Sequence, residues 1–163
     1  TWLSPARVAP EQVHPPDVSL SDPAEVARRY EKDVRGSLGP GLVFDCVLLS
    51  LGEDGHVASL FPGRREAGET TRLVVPVVDS PKPPRRRVTM TLALINRAMV
   101  VHVLAAGEGK AEALRSVLHG HAGGAESRPP PPAAAIRPVD GRVVWWADEA
   151  AAGRLPPAAT VRR

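Results

Sequence analysis

One cysteine among 163 residues leaves no partner for an internal disulfide. Cys46 lies within an apolar run, where a free thiol is expected to behave as an inert, buried hydrophobe. Aromatic residues supply only 4% of the chain, so a core must be built from Val, Leu, Ile and Ala. No stretch approaches the ~18–20 consecutive apolar residues of a membrane span, and no basic-then-apolar start resembles a secretory leader. The reading is a soluble, cytoplasmic protein with no membrane partner. A strong charge of one sign is lacking too: 21 basic against 18 acidic residues leave a net charge of +3. Arg85-Arg86-Arg87 and the terminal Arg162-Arg163 lack interleaved aromatics and do not make the basic face of a nucleic-acid binder. No nucleic-acid partner is expected.

With 43% hydrophobic and 24% charged residues, the chain reads as one domain over 1–154 and a flexible Pro- and Ala-rich tail over 155–163. Asp22-Pro23-Ala24-Glu25 carries an N-cap, a proline at the first helical position and a glutamate three residues after the cap. Val26, Tyr30, Val34 and Leu38 then recur every four residues until Gly39-Pro40, which predicts an amphipathic helix. The apolar residues of Val43–Leu51 predict a buried central strand containing Cys46. Leu73–Val78 reads as a second strand, at an edge or a bulge because Pro76 has no amide donor. Val88–Leu92 and Val100–Ala105 read as strands separated by a single helical turn. A helical stripe follows at Ala111, Leu114, Val117 and Leu118. His119–Pro132 is a polar, Pro-rich loop, Ala134–Ile136 and Arg142–Trp146 have strand character, and Ala147–Gly153 closes as a short helix. This alternation predicts an α/β fold with a mainly parallel sheet flanked by helices. The first residue is Thr1, and Thr1–Pro5 shows neither period, which suggests a piece of a longer polypeptide.

Three groups of residues can carry chemistry. Gly52-Glu53-Asp54-Gly55-His56 follows the first strand, where open α/β sheets hold their ligands. An imidazole suits proton transfer at neutral pH, and Asp54 can fix its tautomer. Gly52 and Gly55 allow a tight turn and close approach of a ligand. The same residues form an ordinary polar turn in the plainer reading. A metal site is not expected, since only His56 and Asp54 are close in sequence and three or four ligands are needed. Gly107-Glu108-Gly109-Lys110 lies between a strand and a helix, where free amides and an ammonium suit a phosphate; the alternative is a solvated lysine. Ser80-Pro81-Lys82-Pro83-Pro84, with Arg85-Arg86-Arg87 behind it, is a stiff loop from which Lys82 or Arg87 can reach a second anionic oxygen, or else a plain solvated loop.

Together these segments resemble a known family. Gly52–Gly63 closely matches the G-x-D-G-H-x-A-S-L-F-P signature of 6-phosphogluconolactonases. Asp79–Pro84 with Arg87-Val88-Thr89 looks like their D-S-P-K-P-P…R-[VI]-T stretch, Leu94–Ala98 like their L-x-N-x-A, and Gly107–Ala111 like their G-x-G-K-A. Pro138–Ala150 is similar to their P-x-x-G…W-x-x-D-E-A ending. The resemblance implies hydrolysis of 6-phosphoglucono-δ-lactone to 6-phosphogluconate in the pentose phosphate pathway, with no metal or organic cofactor. The implied fold is Rossmann-like, similar to glucosamine-6-phosphate deaminases. It makes His56 the base that activates water, with Asp54 beside it, and Lys110 the holder of the substrate phosphate. The reading of the residues themselves adds Gly52, Gly55, Lys82 and Arg87 to the expected substrate-binding set. The family's S-G-G-[ST]-[TP] phosphate loop and its D-E-R motif, whose arginine steadies the developing negative charge, have no counterpart in the sequence, so the fold is expected to be incomplete at its N-terminus. Two other readings stand beside the lactonase. One is a truncated, non-catalytic sugar-phosphate-binding module. The other is an amino-sugar-phosphate isomerase or deaminase, whose F-N-E-P-G type segment carries a glutamate that Ser59-Leu60-Phe61-Pro62-Gly63 lacks.

Overall fold

The computed structural model describes residues 5–120 and 129–157. In chain order these residues form α1 (Pro23–Leu38), β1 (Val47–Ser50), β2 (Val74–Val77), β3 (Arg87–Met90), α2 (Leu92–Ile95), β4 (Val100–Ala105), α3 (Ala111–His119), β5 (Arg142–Ala147) and α4 (Glu149–Ala152). Thr1–Ser4, the middle of the His119–Pro132 loop and the Arg162-Arg163 pair lie outside the described residues.

A parallel sheet in the order β1-β4-β5 forms the frame, with Val47 opposite Val101 and Val101 opposite Val143. β4 is its middle strand, and Val101 and Val103 are fully buried, each worth roughly 1.5–3 kcal/mol relative to exposure. Alternation sends Val47, Leu49, Val101, Val103, Val143 and Trp145 into one core with Ile95, Ala98, Leu114, Ile136 and Ala151. The opposite face carries Leu48, Leu104 and Trp146, which are 71%, 46% and 56% exposed. Parallel sheets ordinarily bury both faces. Here, among the described residues, one is open.

The sequence places β1 in the centre of the sheet and Cys46 in the core, and the structure corrects both. β1 starts only at Val47 and has β4 as its sole partner among the described residues. Cys46 is exposed because it shares the alternation of Leu48 and Ser50, the side that faces out.

α1 begins and ends as its sequence signals require. Asp22 accepts from the Ala24 amide at 3.0 Å, and Gly39, at φ +66°, stops the helix. Its apolar stripe packs on an antiparallel pair, β2 with β3, through Ala27, Val34, Leu73, Val74 and Leu94. Among the described residues that ladder has two strands, so Pro76 sits on an edge, as its missing donor demands. Glu31 reaches from α1 to accept from the Leu73 and Val74 amides at 3.0 and 3.1 Å, while Arg35 holds its other oxygen at 2.7 Å. Partial burial pushes the Glu31 pKa up, but the bonds from Arg35 and the two amides outweigh it and hold the carboxyl below its ordinary range.

Two further expectations change. Ala134–Ile136 is not a strand: Pro132–Ala135 forms a 3-10 turn, and the Ala133 amide donates to Gly55 O at 3.1 Å rather than to a ladder. α3 buries Ala111 and Leu114, with Val117 partly covered, but leaves Leu118 40% exposed. Of the tail expected over 155–163, Leu155 packs against the core and residues 158–163 lie outside the described residues.

Candidate active site

Two loops leave the carboxyl ends of neighbouring parallel strands, β1 and β4, and the site is built between them. The Leu51 amide donates to Leu104 O at 2.8 Å, so the ladder runs on until Gly52. The chain then closes a tight turn, with Gly55 N on Gly52 O at 2.9 Å and Gly52 N on His56 O at 2.8 Å. Glycine is required twice in it. A Cβ on Gly52 would overlap the His56 ring, and Gly55, at φ +82°, lies against Pro131.

The turn folds Asp54 back onto His56. The Asp54 Oδ1 atom is 2.5 Å from His56 Nδ1 and also accepts from the His56 amide at 3.3 Å. With a carboxylate at Nδ1, the ring proton resides there and Nε2 carries the lone pair. Phe61 supports the imidazole from below, ring centroids 4.5 Å apart. The imidazole is only 16% exposed, so it is held rather than free. Partial burial raises the Asp54 carboxyl, but the bonds from the His56 ring and amide and the charge of the Lys82 ammonium overcome this and keep its pKa below the usual carboxylate value. Asp54 therefore stays ionised at neutral pH.

Lys82 arrives from the Ser80–Pro84 loop, its ammonium 3.9 Å from Asp54 Oδ1. Lys110 arrives from the other side, at the N-terminus of α3, and its ammonium is 3.8 Å from Glu53 Oε1. Lys110 and His56 line one open cleft of about 430 Å³ together with Leu49, Leu51, Gly52 and Ala58. A second depression of about 380 Å³ meets the same turn at Glu53, Asp54, Gly55 and Phe61. The structure thus brings together His56, Asp54, Gly52, Gly55, Lys82 and Lys110. Arg87 is different: its guanidinium donates to the carbonyls of Lys82, Pro83 and Pro84 and to Ser59 Oγ instead of facing the cleft of His56 and Lys110. Among the described residues, no three His, Cys, Asp or Glu side chains gather to hold a metal ion.

Three participants carry no role in the sequence reading. Phe61 meets the imidazole only because the chain turns between them, with the Leu60 amide on Val57 O at 2.9 Å. Glu53 faces Lys110 across two loops. Asp148 accepts from the Gly107 amide at 2.9 Å through one oxygen, while the other caps α4 by accepting from Ala151 N at 2.8 Å. That last residue had a signal, an aspartate directly before Glu149-Ala150, the mark of a helix start.

The chain is 41% identical to the 6-phosphogluconolactonase of Rattus norvegicus over 141 residues, which are 86% of this chain and 52% of that protein. Among solved structures, the 6-phosphogluconolactonase of Trypanosoma cruzi superposes with a TM-score of 0.77 at 31% identity, covering 91% of this chain and 61% of that one. A monomeric glucosamine-6-phosphate deaminase gives a TM-score of 0.70 at 26% identity, over 90% and 61% of the two chains. The chain spans about half the length of the curated relatives it matches. The model of the family described as glucosamine-6-phosphate isomerases/6-phosphogluconolactonase matches residues 1–145. A histidine fixed by an aspartate at a strand end, a lysine at the adjacent helix start and this breadth of match lead to one conclusion: the chain belongs to that family.

Proposed function

We propose that this chain supplies the water-activating and phosphate-binding part of a 6-phosphogluconolactonase, which hydrolyses 6-phosphoglucono-δ-lactone to 6-phosphogluconate. The observation that carries the reading is that His56, held by Asp54, lines one cleft with Lys110. Asp54 holds the proton on Nδ1, and Nε2 accepts one from water as its oxygen attacks the lactone carbonyl. The tetrahedral adduct then expels the ring oxygen, which takes a proton from the imidazolium. A hydroxyl and a carboxylic acid result, the acid sheds its proton to solvent to become the carboxylate, and the base is restored. A lactone is an activated ester, so base, water and oxyanion stabilisation suffice without a covalent nucleophile. The resemblance assigns the oxyanion donor to the D-E-R arginine rather than to any residue of this sequence.

Lys110 binds the phosphate remote from the reacting carbonyl, and Lys82 lies where it can meet a further oxygen of the sugar. The proposed setting is the cytoplasm, since a phosphorylated sugar does not cross a bilayer unaided. Among the described residues no helix is long and apolar enough to span a membrane.

The test is a proton-release assay on freshly made lactone. A rate above spontaneous hydrolysis is expected, and His56→Ala should lower it by roughly 10²–10⁴. Equal rates with and without the chain, alongside measurable 6-phosphogluconate binding, would replace the lactonase reading with the binding module.

A further inference from the structure

Arg87 opens β3 directly behind the Ser80–Pro84 loop, and its side chain folds back into that loop. Nε donates to Pro84 O at 2.9 Å, and one terminal nitrogen donates to Lys82 O and Pro83 O, both at 2.8 Å. The other terminal nitrogen reaches Ser59 Oγ at 3.3 Å, and the guanidinium carbon lies 5.6 Å from the Phe61 ring centroid. Three successive carbonyls converging on one cation need a rigid planar fork, which arginine has and lysine lacks. The loop's prolines have no amides to offer, so the loop cannot brace itself with a backbone ladder.

From the inner side Ser80 completes the grip. It is buried, its hydroxyl donates to Lys82 O at 2.7 Å and accepts from the Lys82 amide at 3.3 Å, and its own amide donates to Arg85 O. The Lys82 backbone is therefore fixed at both ends, with its ammonium beside Asp54. On its far side the same guanidinium meets Phe61, which is buried and supports the His56 ring.

We propose that Arg87 is a positioning residue that clamps the Ser80–Pro84 loop, aiming Lys82 at Asp54 and steadying the imidazole through Phe61, rather than a ligand of the substrate. Its consequence for turnover rests on the lactonase reading; the clamp itself does not.

The clamp is tested without substrate by following the Asp54 side-chain carboxyl through a pH titration by ¹³C NMR. Removing the Lys82 charge in Lys82→Met should move the Asp54 midpoint up, toward the ordinary carboxylate range. Arg87→Ala and Arg87→Lys should both move it up to a similar extent, and Arg87→Ala should add little in the Lys82→Met background. Ser80→Ala loosens the same backbone from the other side and should shift Asp54 in the same direction, which keeps the test open where an Arg87 variant folds poorly. Binding of 6-phosphogluconate should weaken less than about threefold in Arg87→Lys but about tenfold or more in Lys110→Met. An Asp54 midpoint unmoved by folded Arg87 and Ser80 variants would overturn the clamp, as would Arg87→Lys binding at wild-type strength with Arg87→Ala binding tenfold weaker. A chain that shows the coupled shifts but no lactonase rate would leave the clamp standing and remove the functional reading alone.

Discussion

Asp54 gathers the imidazole and the Lys82 ammonium on one oxygen. Replacing it with asparagine keeps the shape but offers an amide that can donate to Nδ1, which puts the proton on Nε2 and disables the base. Asp54→Asn should lower kcat by ~10² or more with little change in KM. A kcat within threefold of wild type would show that the tautomer is set elsewhere. On the proposed reading Lys110 acts in binding, since a phosphate is distant from the bond that breaks. Lys110→Ala should raise KM roughly tenfold to a hundredfold, the worth of a charge-assisted contact of ~1.5–3 kcal/mol, and leave kcat nearly intact. The outcome to look for against it is an unchanged KM in a steady-state titration. The places of both residues at strand ends were legible in the sequence, because glycines cluster there with a histidine and a lysine. Arg87 was legible only as a cation. That its hydrogen bonds turn inward depends on how a proline loop closes, and a linear string does not carry that closure.

α1 was readable from end to end because capping and termination are local chemistry: Asp22, Pro23 and Gly39 act within one turn of themselves. The strands were less so. A run of apolar residues says that something is covered, but which side is covered depends on partners remote in sequence, so Cys46 fell on the outer side and Ala134–Ile136 was drawn into a 3-10 turn that the Ala133 amide anchors on Gly55 O. The docking of α1 onto β2 hinges on Glu31, and it carries a pH signature. A carboxyl held low in the folded state adds stability that is full above its unfolded value near 4.5 and disappears as the pH falls through the lower folded value. Glu31→Gln should therefore cost about 1–3 kcal/mol in urea melts at neutral pH, and the gap to wild type should close in strong acid. A gap that stays constant with pH would mean that shape rather than charge makes this contact.

At the scale of the whole molecule, the parallel sheet is covered on one side and, among the described residues, open on the other. Leu48 and Leu104 stand in water on adjacent strands, and β1 has a free outer edge among the described residues. Contiguous apolar surface beside an unpaired strand invites association. The 163-residue chain should gain mass with concentration in light scattering, and Leu48→Lys with Leu104→Lys should suppress that gain. Association that persists in the double variant would place the contact on another surface.

Trp146 turns the open face into an optical instrument. Its indole N–H donates to His102 Nδ1 at 2.7 Å and its ring is largely in water, whereas Trp145, one residue earlier, points to the interior. Whatever settles on that face strips solvent from one indole and leaves its neighbour unchanged, so a blue shift in emission would announce the arrival with no dye attached.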